Sequence, residues 1–98
     1  MKVKHCTKQD GKHYGWSFVC PGCDQHHVIP TEGGHERVNW QFNGDIERPT
    51  FTPSLRVVTK KECVCHSVIT DGRIQFCGDC THALVGKTVE LLNIPNVV

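Results

Sequence analysis

Two pairs of cysteines, each split by two residues, constrain this chain more than anything else in it: Cys20-Pro-Gly-Cys23 and Cys77-Gly-Asp-Cys80. Pro and Gly between two sulfurs make a tight knuckle, which lets both sulfurs and nearby backbone N–H groups converge on one ion. Two such pairs far apart in sequence form a zinc pattern wherever thiols stay reduced. The stretch between them is longer than a zinc finger's, so the expectation is a β domain clasped by metal. A chain of 98 residues buries a core of thin margin, for which a staple is unsurprising. Seven cysteines, an odd number, argue against a disulfide scaffold. Residues 1–19 carry Lys2, Lys4, Lys8, Asp10 and Lys12 with no apolar leader, and no run approaches the roughly 18 apolar residues of a membrane span. A cytoplasmic location (the cytoplasm of a host cell), reduced thiols and no membrane partner are expected.

The remaining pattern is mostly β. "KVKHCTK", the Asp10-Gly11 turn and "HYGWSFVC" read as a hairpin. "RVNWQF" places Val38, Trp40 and Phe42 on one face, and a turn at "FNGD" follows. "ERPTFTPS" contains Pro49 and Pro53, which rule out a helix and disfavour a central strand, so an extended segment or an edge is predicted. "LRVVT" at 55–59 reads as a short strand. "THALVGK" suggests one helical turn with Thr81 as N-cap and Gly86 as stop, and "TVELL" a last strand. The predicted fold is mainly β: one zinc-stapled antiparallel domain over residues 1–98, with zinc-ribbon-like knuckles and little helix.

Asp71-Gly72 is the preferred pair for a two-residue type I′ turn. Closing there sets Thr70 against Arg73, Ile69 against Ile74, Val68 against Gln75 and Ser67 against Phe76. Further back His66 meets Cys77, Cys65 meets Gly78 and Cys63 meets Cys80. Cross-strand partners share a face and faces alternate. One face then carries Cys63, Cys65, Ile69, Ile74, Phe76 and Cys80, and the wetter one His66, Val68, Thr70, Arg73, Gln75 and Cys77. The expected ligands of a structural Zn2+ are Cys20, Cys23, Cys65 and Cys80, with Cys77, His66 and Cys63 as alternatives for the fourth place. Cys6 has no partner in sequence and reads as a small buried hydrophobe. His26 and His27 read as solvent-facing after the knuckle.

At "CPGC", "WQFNGDIERPTFTPSL" and "CHSVITDGRIQFCGDCTHALVGKTVEL" the chain resembles a family of small phage and prophage proteins of unknown function. Some members carry the label "ammonia monooxygenase", which does not suit a chain with nothing able to cross a bilayer. The matching positions are Cys20, Cys23, Asn43, Asp45, Arg48, Pro49, Thr50, Pro53, Ser54, Cys65, His66, Asp71, Gly72, Arg73, Asp79, Cys80, Thr81 and His82. The resemblance implies a phage origin and a small cysteine-rich β domain, and identifies no substrate.

Three function classes compete. A phage protein of this size without a catalytic signature is expected to bind and inhibit a host protein, with the Pro-rich stretch 48–54 as docking surface. A nucleic-acid module would stack bases on Tyr14, Trp16, Trp40 or Phe51, but a net charge of +1 argues against tight phosphate binding, and these rings read as core. An enzyme would use the second cluster His66, Cys77, Asp79 and His82, with His66, Cys77 and His82 as three ligands of an open metal site and Asp45 or Arg48 nearby. The plainer role for Asp79 is to accept backbone N–H bonds within its own turn. No nucleophile elbow, phosphate loop, H-E-x-x-H or deaminase pattern is present, so the enzyme ranks below the binder.

Overall fold

Asp-Gly pairs close a hairpin in each of two antiparallel sheets. In the computed structural model, which describes residues 1–58 and 64–94, Gly11 has φ +85°, and Asp71 and Gly72 have φ +51° and +78°. Two successive positive φ values are the signature of a type I′ turn. β1 (Lys4–Thr7), β2 (His13–Cys20) and β3 (Gln25–Pro30) form a three-stranded sheet in that order. β4 (Gln41–Phe42), β5 (Phe51–Val58), β6 (Val64–Thr70), β7 (Arg73–Phe76) and β8 (Thr88–Glu90) form a five-stranded meander. The described residues contain no helix, so the mainly β expectation holds.

Alternation feeds both sheets into one core. Phe18 and Cys20 from β2 and Ile29 from β3 meet Phe51, Leu55, Cys65, Ile69, Ile74 and Phe76 from β5 to β7. The aromatic residues follow the same logic: Phe51 is buried, and Trp16, Trp40 and Phe42 pack against the cluster. The β6–β7 register is Thr70 to Arg73, Ile69 to Ile74, Val68 to Gln75 and Ser67 to Phe76, as the turn pair predicts. Ser67, Ile69, Ile74 and Phe76 are buried, whereas Val68, Thr70, Arg73 and Gln75 lie on the open face.

Three local expectations are corrected. Val38 is 52% exposed, and only Gln41–Phe42 of "RVNWQF" is strand. The chain before it closes on itself instead: His35 N–H donates to Asn39 Oδ1, the Asn39 amide donates to His35 O, and Arg37 N–H donates to His35 Nδ1. Short polar side chains have taken the backbone groups a ladder would need. Residues 82–86 make turns rather than a helix, with Val85 N–H on His82 O, Lys87 N–H on Leu84 O and Gly86 at φ +75°. One turn cannot meet the cost of helix nucleation.

The third correction matters most. β5 is not an edge but lies between β4 and β6. Pro53 is tolerated because the β5–β6 register shifts between Phe51 and Leu55, so 52–54 stand out of the β6 ladder.

Candidate functional site

The bulge that accommodates Pro53 also aims Ser54. Beyond it Arg56 pairs with His66, and Ser54 stands one alternation back on the same open face, a diagonal neighbour of the imidazole. Ser54 Oγ lies 2.9 Å from His66 Nε2. On the other side of the ring, His66 Nδ1 lies 3.1 and 3.2 Å from the two oxygens of Asp79. A carboxylate only accepts, so Nδ1 carries the proton, and the neutral ring then offers its Nε2 lone pair to the Ser54 hydroxyl. With the ring neutral, the chain of contacts runs Ser54 O–H to His66 and His66 N–H to Asp79. Arg56 Nε stands 3.7 Å from Asp79 Oδ2. Asp79 thus serves His66 and Arg56 rather than the amides of its own turn.

Asp79 is delivered by the chain beyond β7. Cys77 N–H donates to His66 O at 2.8 Å, continuing the hairpin pairing as the register predicts. Cys80 then turns inward, accepting from His66 N–H at 3.2 Å and donating to His66 O at 3.0 Å. The main chain of His66 is held from three sides while its ring meets Ser54 and Asp79. Along the same face, beside Val68, Thr70, Gln75 and Thr88, runs a shallow depression of about 370 Å³.

Behind this face lies a second constellation. Cys20 and Cys23 from the knuckle, His27 from β3 and Cys65 from β6 bring one ligand atom each within 4.8 Å of one another. Cys20 and Cys65 sulfurs are 3.7 Å apart, close to the ~3.8 Å edge of a tetrahedron built on metal–sulfur bonds of about 2.3 Å. The Nε2 of His27 is buried without a hydrogen-bond partner among the described residues, a state a metal bond would relieve. The hydrogen bond with Cys65 pulls the Cys20 thiol down, helped by His27 and by the amides of Cys23 and Gly22. The same bond, then burial, pushes Cys65 up. Two bare thiolates 3.7 Å apart would repel, a conflict that a cation between them removes. These donors fit a metal ion and form a closed set of the structural kind. None of the described cysteines is in a disulfide.

Of the ligands expected from sequence, Cys20, Cys23 and Cys65 share this cluster. Cys80 stands outside it, on the His66 backbone, and Cys63 lies outside the described residues. His27 was expected in solvent but is 4% exposed. The signal was present: β2–β3 pairing sets Phe18 against His27, so alternation turns His27 inward with Ile29 and leaves His26 and Val28 exposed. The second cluster also changes membership. His66, Cys77 and Asp79 come together, but His82 does not join them. Its ring meets Phe76 edge-on at 4.4 Å and covers Gly22, where any Cβ would overlap it. Cys6 is half-buried, its thiol on Lys4 O.

A serine hydroxyl, an imidazole and a carboxylate in relay, on the open face of a β-sheet whose other face carries a candidate metal cluster, is the constellation of the serine hydrolases. The chain belongs to the BubE family, described as bacterial ubiquitination-like system serine protease, whose model matches residues 2–77. That stretch contains Ser54 and His66, and Asp79 lies just beyond it. The chain matches no curated protein and no solved structure. No helix among the described residues is long and apolar enough to cross a membrane.

Proposed function

We propose that this protein is a serine protease of a bacterial ubiquitination-like system, with Ser54 as nucleophile, His66 as general base and Asp79 as the group that orients it. The observation that carries this reading is the relay itself, with Ser54 Oγ 2.9 Å from His66 Nε2 and Asp79 3.1 Å from His66 Nδ1. The family description supports it independently. Ser54 Oγ attacks the carbonyl carbon of an amide bond while Nε2 takes its proton. The imidazolium then protonates the departing amine, leaving an acyl group on Ser54, and a water activated by the same nitrogen releases it. Asp79 stays ionised throughout and stabilises the imidazolium. The depression lined by Val68, Thr70, Gln75 and Thr88 lies further along the same sheet face, where an extended substrate reaching past the relay would rest.

The metal of the Cys20–Cys23–His27–Cys65 set is Zn2+ in this reading, because three thiolates and an imidazole in a closed tetrahedron suit it. It ties the first sheet to β6 one residue before His66 and supplies structure. Phage carriage, a host-cell location and inhibition of a host protein rest on resemblance and size. No feature of the geometry calls for them, whereas the relay calls for chemistry.

The test is substrate-independent. A fluorophosphonate should modify the wild-type protein at one site, found by mass spectrometry at Ser54, and Ser54→Ala should remain folded, keep its metal and stay unmodified. Labelling that persists in folded Ser54→Ala, or a folded wild type that never reacts, overturns the assignment.

A further inference from the structure

Hydrolysis has no use for Cys77, yet its thiol sits with the two groups that make Ser54 reactive. The ligand atoms of His66, Cys77 and Asp79 all lie within 4.8 Å of one another. Unlike the Cys20–Cys23–His27–Cys65 set, in which all but Cys23 are buried, this group has no buried member: the side chains of His66 and Asp79 are 27% and 49% exposed, and Cys77 is half-buried. The main chain that carries the thiol is also held in place, since Cys77 N–H bonds to His66 O. One thiolate, one imidazole and one carboxylate with room for water make a three-ligand site of the kind that zinc occupies with a free fourth position. A soft sulfur and an imidazole select Zn2+ or a similar thiophilic ion over Mg2+ and Ca2+.

We propose that His66, Cys77 and Asp79 form a reversible inhibitory site for a thiophilic divalent cation, Zn2+ above all, which silences the relay by taking the nitrogen that Asp79 holds. The consequence follows from proton positions and rests on the serine protease reading. In the relay, the single ring proton of neutral His66 sits on Nδ1 and Nε2 is the base. An ion bound at Nδ1 moves that proton to Nε2, where it is donated to Ser54 Oγ instead of being exchanged for the hydroxyl proton. The thiol proton of Cys77 leaves to solvent, as ligation requires. Asp79 now faces a metal rather than an imidazole and no longer orients the ring. Nothing is oxidised or reduced, and a chelator reverses every step. The strand pairing of Cys77 with His66 survives a change of side chain, so Cys77 can be altered without dismantling the relay.

The experiment uses the full chain with its tightly held metal in place. Cd2+ is titrated while thiolate-to-metal charge transfer is followed, and separately Zn2+ is added while the rate of fluorophosphonate labelling is measured. Wild type should take up one further Cd2+ with a new charge-transfer band. Micromolar Zn2+ should slow labelling, and a weak chelator should restore it. Cys77→Ser should label at the wild-type rate without Zn2+, lose the band, and require more Zn2+ for the same slowing by at least the roughly 10- to 100-fold that losing an outer-shell partner alone costs. A band and a slowing that persist unchanged in Cys77→Ser overturn the proposal, as does a labelled wild type that Zn2+ does not slow. Should folded wild type never label, the protease reading fails on its own account, and the site is then decided by the Cd2+ band alone.

Discussion

Cys80 holds His66 by both of its backbone polar groups, receiving the N–H at 3.2 Å and returning its own thiol proton to the carbonyl at 3.0 Å. Because Asp79 immediately precedes Cys80, the same contact fixes both partners of the relay. The Cys20–Cys23–His27–Cys65 cluster reaches the site from the other side, since Cys65 immediately precedes His66. The two ends of the imidazole's backbone are thus anchored by sulfurs with different duties.

Asp79→Asn should leave the fold and metal content unchanged. An amide presents either N–H or C=O to His66 Nδ1, so the tautomer that makes Nε2 a base is no longer enforced. Loss on the order of 10⁴-fold in the rate of serine acylation is expected, by the behaviour of the equivalent change in a serine protease triad. Fluorophosphonate labelling kinetics, with circular dichroism as control, measure it; a loss below tenfold would show that Asp79 is only a surface partner of Arg56.

Cys80→Ala should retain the metal and lose part of the activity. Its sulfur lies outside the four-donor set, and its removal leaves the His66 N–H in a partly buried setting without its partner, a cost of about 1–3 kcal/mol. Metal content by elemental analysis, beside thermal unfolding, separates the roles. Complete metal loss in this variant would place Cys80 among the ligands.

Removing the metal should unfold the domain. Structural zinc contributes roughly 10–16 kcal/mol of apparent binding energy in zinc-finger peptides, comparable to the whole stability of about 5–15 kcal/mol of a typical domain. Cys20→Ser, Cys23→Ser, Cys65→Ser and His27→Ala should each bind the ion poorly. A strong chelator followed by near-ultraviolet circular dichroism is the check, and a cooperative melt that survives stripping would refute a structural role.

Asp45 gives an acid-side signature. Its carboxylate accepts the N–H groups of Arg48 and Glu47, and these bonds hold its pKa below the ordinary 3.8. A depressed folded pKa contributes stability that is present above the unfolded value and fades as pH falls through the folded one. Wild type should therefore exceed Asp45→Ala in melting temperature at neutral pH, with the gap closing below pH 3.8. A gap that stays constant to the lowest pH at which the protein folds would mean that the charge is irrelevant.

Local chemistry made much of this protein legible from its sequence. Asp71-Gly72 dictates the β6–β7 register, and the register sorts Ile69, Ile74 and Phe76 from Val68 and Gln75, because a two-residue turn leaves the strands no choice of pairing. The Cys20-Pro-Gly-Cys23 knuckle and the inward course of Cys65 follow from equally short-range rules. His27 lay within reach of the same alternation applied to β3. The relay did not. Ser54 meets His66 only because a bulge around Pro53 shifts the β5–β6 register, and nothing in "TFTPS" says how far. Asp79 meets the same ring because Cys80 bonds to the backbone of a residue fourteen positions away. His82, which shares the cluster in sequence, is drawn off to cover Gly22 and Phe76. Spacing along the chain names side chains that can do chemistry, but which of them meet is decided by non-local strand register, where one residue of slip exchanges one face for the other.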